Sequence, residues 1–246
     1  MAQADYIIGD AAKLLNEETR CVDAIVTDPP FKVRFSKSIQ GLRKPFYMDL
    51  VENVGSCETF SIEPYIPLFE KVCKPLVLFL FSSKNELPFL LNWAESKGMV
   101  WELLSWHKKN PIPFTSGHFM SDTEFILYAR ERGAYHPAAG EFDWSRMKTY
   151  FIMDSPRRQR GRGEHVGVCA HPCTKPMPIM NRLVQIAAPR GGVILDPFAG
   201  SGTTIRAALA NDRDAIGYEL NPKWESLLAD ACETRVQNLT CFEGKL

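Results

Sequence analysis

"VILDPFAGSGTT", residues 193–204, runs from an apolar strand through a glycine turn into the start of a helix. Val193-Ile-Leu195 is uniformly apolar, as suits a strand covered on both faces. Gly200 and Gly202 let the backbone turn sharply and approach a ligand closely, and a helix beginning near Thr203 offers free N–H groups. A second strand, Ala215-Ile-Gly-Tyr218, ends at Glu219, a carboxylate where such folds grip ribose hydroxyls. The loop lacks the Gly-Lys-Ser/Thr ending that meets a triphosphate, and Gly200-Ser-Gly202-Thr-Thr-Ile205 departs from the dinucleotide Gly-x-Gly-x-x-Gly. Asp196 repels a pyrophosphate and attracts an ammonium. S-adenosylmethionine carries an ammonium, a sulfonium and a ribose but no phosphate, and it fits the loop best.

Further strands read at Tyr6-Ile-Ile8, Ala24-Ile-Val26 and Leu76 to Phe81. In "TKPMPIMNRLVQIAAP", Ile179, Leu183, Ile186 and Ala187 recur at helical spacing, with Thr174 and Pro176 suited to the start. A third helix is expected from Lys223 toward Leu239. Alternating strands and helices predict an α/β fold with a mostly parallel, doubly wound sheet. Counted from Val193, the strands ending at Asp196 and Glu219 come first. "YIIGD", with Asp10 at its tip, and "DAIVTD" then continue the same half. The chain is cut between the second and third strands of one cofactor-binding half, so the fold is Rossmann-like and circularly permuted, with chain ends near each other.

The chain has 246 residues, 45% hydrophobic and 24% charged, a composition that suits a globular protein with one sizeable core. No stretch approaches the roughly 20 apolar residues of a membrane span, and "MAQADYIIGD" lacks the pattern of a signal peptide. Seven cysteines at irregular spacing argue for reduced thiols in a cytoplasm. Acids and bases balance at 29 each, so any nucleic-acid contact must come from local clusters. Two such clusters stand out. "KVRFSKSIQGLRK" (32–44) holds Lys32, Arg34, Lys37, Arg43 and Lys44 with no acid, and "SPRRQRGRG" (155–163) holds Arg157, Arg158, Arg160 and Arg162. Both read as exposed loops.

At "TDPPF" (27–31) two prolines end the apolar run Ala24-Ile-Val26 in a stiff corner, with Asp28 before them and Phe31 after. "DPPF", "HPCTKP" (171–176), "DPFAGSGTT" and "GYELNPKW" (217–224) together resemble the permuted, β-group amino-group DNA methyltransferases of adenine N6 and cytosine N4. The likeness is close over 5–31 and 171–224. "WHKKNPIPF" (106–114) and "DTEFILYA" (122–129) resemble that group's middle motifs more loosely.

The resemblance implies a single catalytic domain over 1–246, with a small target-recognition insertion around 130–165 that includes His136, Trp144, Arg146 and Lys148. It implies methyl transfer from S-adenosylmethionine to adenine N6 in DNA by direct attack on a flipped base. Asp28 and the Pro29 carbonyl, stiffened by Pro30, are then acceptors for the target amino group, and Phe31 is a stacking face. Asp196, Gly200 and Gly202 surround the methionine end, Glu219 serves the ribose, Asp10 serves the adenine amino group, and Phe198, Thr203 and Asn221 are implied as further cofactor-binding residues. Thr174 and Lys175 close the methionine pocket. Asp10 has an equally ordinary reading as a helix cap. The two basic loops are expected to bind DNA. The family often has Tyr where this chain has Phe31, a change that keeps stacking and loses a hydroxyl. DNA is the implied partner, with no membrane contact, and a homodimer is left open.

Other readings fit less well. Pro172-Cys173 matches the nucleophile of cytosine C5 methyltransferases but lies in a cofactor motif, and DPPF supplies chemistry without covalent attack. His165, Cys169, His171 and Cys173 lack the paired spacing of zinc knuckles, so no metal is expected. Cytosine-N4 methylation uses the same corner, more often with Ser at the position of Asp28. Glutamine methylation of proteins uses an Asn-Pro-Pro-Tyr corner in unpermuted order. A DNA-binding module without catalysis conflicts with two intact motifs.

Overall fold

The computed structural model describes residues 2–31, 60–111, 119–138, 147–156, 171 and 173–233. Among them, one eight-stranded sheet runs in the order β1-β8-β7-β2-β3-β5-β4-β6. The strands are β1 (Ala4–Ile8), β2 (Ala24–Thr27), β3 (Val77–Ser82), β4 (Val100–Lys108), β5 (Thr123–Arg130), β6 (Tyr150–Met153), β7 (Val193–Asp196) and β8 (Asp214–Glu219). Every pairing is parallel except those of β5, which lies antiparallel between β3 and β4.

The central strands are the ones without polar alternation. β2 and β3 are buried along their whole length, as strands covered on both faces must be. Their side chains divide by period two. Ala24, Val26, Val77, Phe79 and Phe81 enter one core, and Ile25, Leu78 and Leu80 enter the other. The first core packs α4 (Met177–Ala187), α5 (Thr203–Ala210) and α6 (Glu225–Glu233) against the sheet; the second packs α1 (Ala11–Glu17), α2 (Ile66–Val72) and α3 (Leu87–Ser96). Helices on both faces make the sheet doubly wound.

In α4, Ile179, Leu183, Ile186 and Ala187 are all buried, so the helical spacing marks the core face. Pro176 caps this helix and Pro178 occupies its first turn, where a missing N–H costs nothing. The helix expected from Lys223 begins as a 3-10 turn, Pro222–Trp224, before α6.

β7, β8, β1 and β2 stand in the order expected of a sheet cut between its second and third strands. The Gln3 N–H donates to Asp214 Oδ1 at 2.7 Å, and α6 packs on β1, so the first described residues lie against the last described helix. β4, β5 and β6 are strands that the apolar runs do not reveal. Within 130–165, Tyr150–Met153 extends the main sheet as β6, while 139–146 and 157–165 lie outside the described residues. No helix among the described residues is long and apolar enough to cross a membrane.

Candidate active site

β7 and β2 are neighbours in space but run on to opposite halves of the fold, which makes the gap between their carboxyl ends the switch point of the sheet. Asp196 ends β7 there, 3% exposed. Its Oδ1 accepts from Thr27 Oγ1 at 2.7 Å and from the Phe198 N–H at 3.1 Å, and its Oδ2 accepts from Thr204 Oγ1 at 2.5 Å. Burial pushes its carboxyl up to about 6 against these hydrogen bonds. Asp196 therefore holds the glycine turn, the helix start and the tip of β2 together, with three of about four acceptor directions used.

The turn itself needs glycine. Gly200 has φ 51° and Gly202, the N-cap of α5, has φ 72°. A Cβ on Gly202 would lie 2.6 Å from Ala231 Cβ, so the residue also lets α6 close over the turn. Glu219, at the tip of β8, accepts from the Gly200 N–H at 2.9 Å and the Asn221 N–H at 2.8 Å, and the Leu220 N–H also turns to its carboxylate. With three backbone donors on about four acceptor directions, the carboxylate keeps capacity for a hydroxyl donor. Burial raises its pKa. The Ser201 and Thr203 hydroxyls are 2.8 Å apart.

Asp10 caps α1 by accepting from the Lys13 N–H at 3.0 Å. It also faces Tyr65, whose hydroxyl is pushed up by burial and then by the charge of Asp10. Phe198 meets Tyr65 and Phe60 edge-on, at ring distances of 5.1 and 5.6 Å. Asp10, Phe198, Gly200, Gly202, Thr203, Glu219 and Asn221 thus gather along the tips of β1, β8 and β7, next to an aromatic wall. Tyr65 and Phe60 are additions that no motif announces.

The Pro-Pro corner lies on the other side of the switch point. Pro29 is buried, and Phe31 packs partly into the core. Lys175 is 8% exposed and pairs with Asp28 Oδ2, its ammonium 5.5 Å from the Phe31 ring centroid and 4.9 Å from that of Phe81. Asp28 Oδ1 is buried and takes no hydrogen bond from the described residues. Burial pushes the Asp28 carboxyl up to about 6; Lys175 works against that shift, while the charges of Glu124 and Asp196 add to it.

Lys175 was expected to close the methionine pocket, and the structure seats it on Asp28. Thr174 Oγ1 donates to the His171 carbonyl at 3.0 Å. The His171 ring packs 4.5 Å from Trp224, and its Cε1 would lie 3.2 Å from a Cβ on Gly200. Burial lowers His171 to about 4, so it is a neutral clasp on the glycine turn.

Lys32, Arg34, Lys37, Arg43, Lys44, Arg157, Arg158, Arg160 and Arg162 lie outside the described residues, as do Trp144, Arg146, His165 and Cys169. Among the described residues, no three His, Cys, Asp or Glu side chains are grouped as a metal site.

The fold is a permuted, Rossmann-like α/β fold with its candidate site at the switch point. The profile of the DNA methylase family matches residues 22–230, and the chain belongs to that family of N6/N4 amino-group methylases. It is 36% identical over 261 residues to the type II methyltransferase M.ScaI of Streptomyces caespitosus, covering 94% of this chain and 82% of that one. Among solved structures, the M1.HpyAVI–SAM complex matches with a TM-score of 0.66 at 21% identity, over 94% of this chain and all of that one. The PvuII DNA methyltransferase, cytosine-N4-specific, matches with a TM-score of 0.68 at 15% identity, over 97% of this chain and 89% of that one.

Proposed function

We propose that the protein methylates the N6 amino group of adenine in DNA, with S-adenosylmethionine as donor. The observation that carries this reading is Asp28 Oδ1, a buried acceptor that the described residues leave unfilled beside a Pro-Pro corner and an aromatic ring. An exocyclic amino nitrogen is a poor nucleophile because its lone pair is delocalised into the ring. Acceptors on both N–H bonds favour a more pyramidal nitrogen and stabilise the positive charge that develops on it. Asp28 Oδ1 is one acceptor and the Pro29 carbonyl the other. Phe31 stacks on the base, which must leave the duplex to be reached.

The donor supplies an electrophilic methyl on sulfur. Glu219 accepts from the ribose hydroxyls, and Asp10 accepts from the adenine amino group. Phe198, Tyr65 and Phe60 form the wall beside them. Asp196, Gly200, Gly202, Thr203 and Asn221 shape the turn around the methionine end, and Thr174 holds the neighbouring clasp. The arginines of 155–163 and the basic residues of 32–44 neutralise DNA phosphates.

Asp at position 28 favours adenine. Cytosine N4 is the second reading, because the cytosine-N4-specific PvuII enzyme shares the fold. DNA incubated with donor carrying a labelled methyl, then digested to nucleosides, should yield labelled N6-methyldeoxyadenosine. Labelled N4-methyldeoxycytidine would move the function to the second reading, and unlabelled DNA would remove both.

A further inference from the structure

Lys175 does not face Asp28 alone. Its ammonium also lies 3.2 Å from Glu124 Oε2, and the other oxygen of Glu124 is held by Lys108 Nζ at 2.6 Å. Asp28, Lys175, Glu124 and Lys108 thus form a row of alternating charge drawn from the end of β2, the approach to α4, the start of β5 and the end of β4. The row is largely withdrawn from water: the Lys175, Glu124 and Lys108 side chains are 8%, 16% and 17% exposed. Ions so placed persist only when paired. Glu124 Oε2 is buried, and the Lys175 ammonium faces it at 3.2 Å. It is a second seat for Lys175, which a small swing of the flexible lysine stem can fill.

We propose that Glu124 is a positioning residue for methyl transfer: it shares the Lys175 ammonium with Asp28 and draws that cation off as the target nitrogen becomes positive. The inference rests on the function proposed above. In that reaction the N–CH3 bond forms as the S–CH3 bond breaks, and the bonding pair stays on sulfur, which becomes a neutral thioether. The positive charge passes to the nitrogen, which then gives up a proton through Asp28 to solvent. Two cations on one carboxylate oppose each other at that moment. Glu124, anchored by Lys108, relieves the opposition by taking Lys175. Among the described residues, the groups that face this row are few. Asp28 faces Lys175, Glu124 and Asp196, Lys175 also faces His171 and Cys173, and Glu124 faces the two lysines.

Glu124→Gln keeps the shape and removes the charge. Its kcat should fall on the order of tenfold to a hundredfold, with the KM for the donor unchanged. The acid limb of its pH–rate profile should move to lower pH, because loss of a nearby negative charge and sole possession of Lys175 both favour ionised Asp28. Glu124→Asp should recover part of the rate. In the cofactor-free protein, the carboxyl carbon-13 titration of Asp28 should move the same way in Glu124→Gln. A kcat within about twofold of wild type, or a lowered kcat with neither limb nor titration displaced, overturns the proposal. A titration shift in Glu124→Gln alongside a wild type that methylates no DNA overturns the function instead, and with it the chemical role of Glu124.

Discussion

The proposed chemistry requires Asp28 to remain ionised in a place that disfavours charge. Burial raises its carboxyl to about 6, and the Lys175 ammonium keeps it from rising further. The carboxylate is the form that accepts a hydrogen bond and stabilises a developing cation, so the fraction of competent enzyme grows as pH passes upward through about 6. Below that, kcat should drop close to tenfold for each pH unit. Lys175→Met takes away the main group lowering the Asp28 pKa, and its acid limb should move to higher pH. A profile flat from pH 5 to 8 in both proteins would separate Asp28 from the rate-limiting chemistry. The corner is legible in the sequence because Asp28, Pro29, Pro30 and Phe31 are consecutive and each has one dominant property. Glu124 is not, since a single carboxylate at the start of a strand gains meaning only when β5 is laid beside β3.

At the level of elements, the tips of β1, β8 and β7 carry paired duties. Asp10 shows the conflict most clearly, because it caps α1 and is also assigned to the cofactor's adenine. Asn caps helices about as well as Asp, whereas Ala loses about 1 kcal/mol at such a position. Asp10→Asn should therefore melt at the wild-type temperature and bind S-adenosylmethionine more weakly in calorimetry, since its amide offers the adenine amino group a donor in place of a carboxylate oxygen. Unchanged affinity would leave Asp10 as a cap alone. The strands that carry these tips were readable as uniform apolar runs. β4 and β6 were not, because edge and near-edge strands mix exposed and buried positions. Glu102 and His107 on β4, and Tyr150 and Ile152 on β6, are exposed beside the buried Trp106 and Phe151.

For the whole molecule, the permutation follows from the order of tips, and the sheet places β7, β8, β1 and β2 accordingly. With 29 acids against 29 bases, attraction to DNA cannot come from net charge. Replacing two of Arg157, Arg158, Arg160 and Arg162 should weaken binding to all DNA sequences alike. The slope of log affinity against log salt should flatten by about one unit per lost phosphate contact. An unchanged slope with an altered target sequence would assign those arginines to base reading. Target choice is the part least legible in the chain, because an arginine reads guanine or holds phosphate with the same side chain.

The central claim, that the Asp28 corner activates an amino nitrogen, is tested most directly by single-turnover methyl transfer in Asp28→Ala with the donor already bound. The account predicts a donor Kd close to wild type and a transfer rate lower by on the order of 100-fold or more, as befits loss of one preorganised acceptor. A rate near wild type in a folded, donor-saturated variant would contradict it.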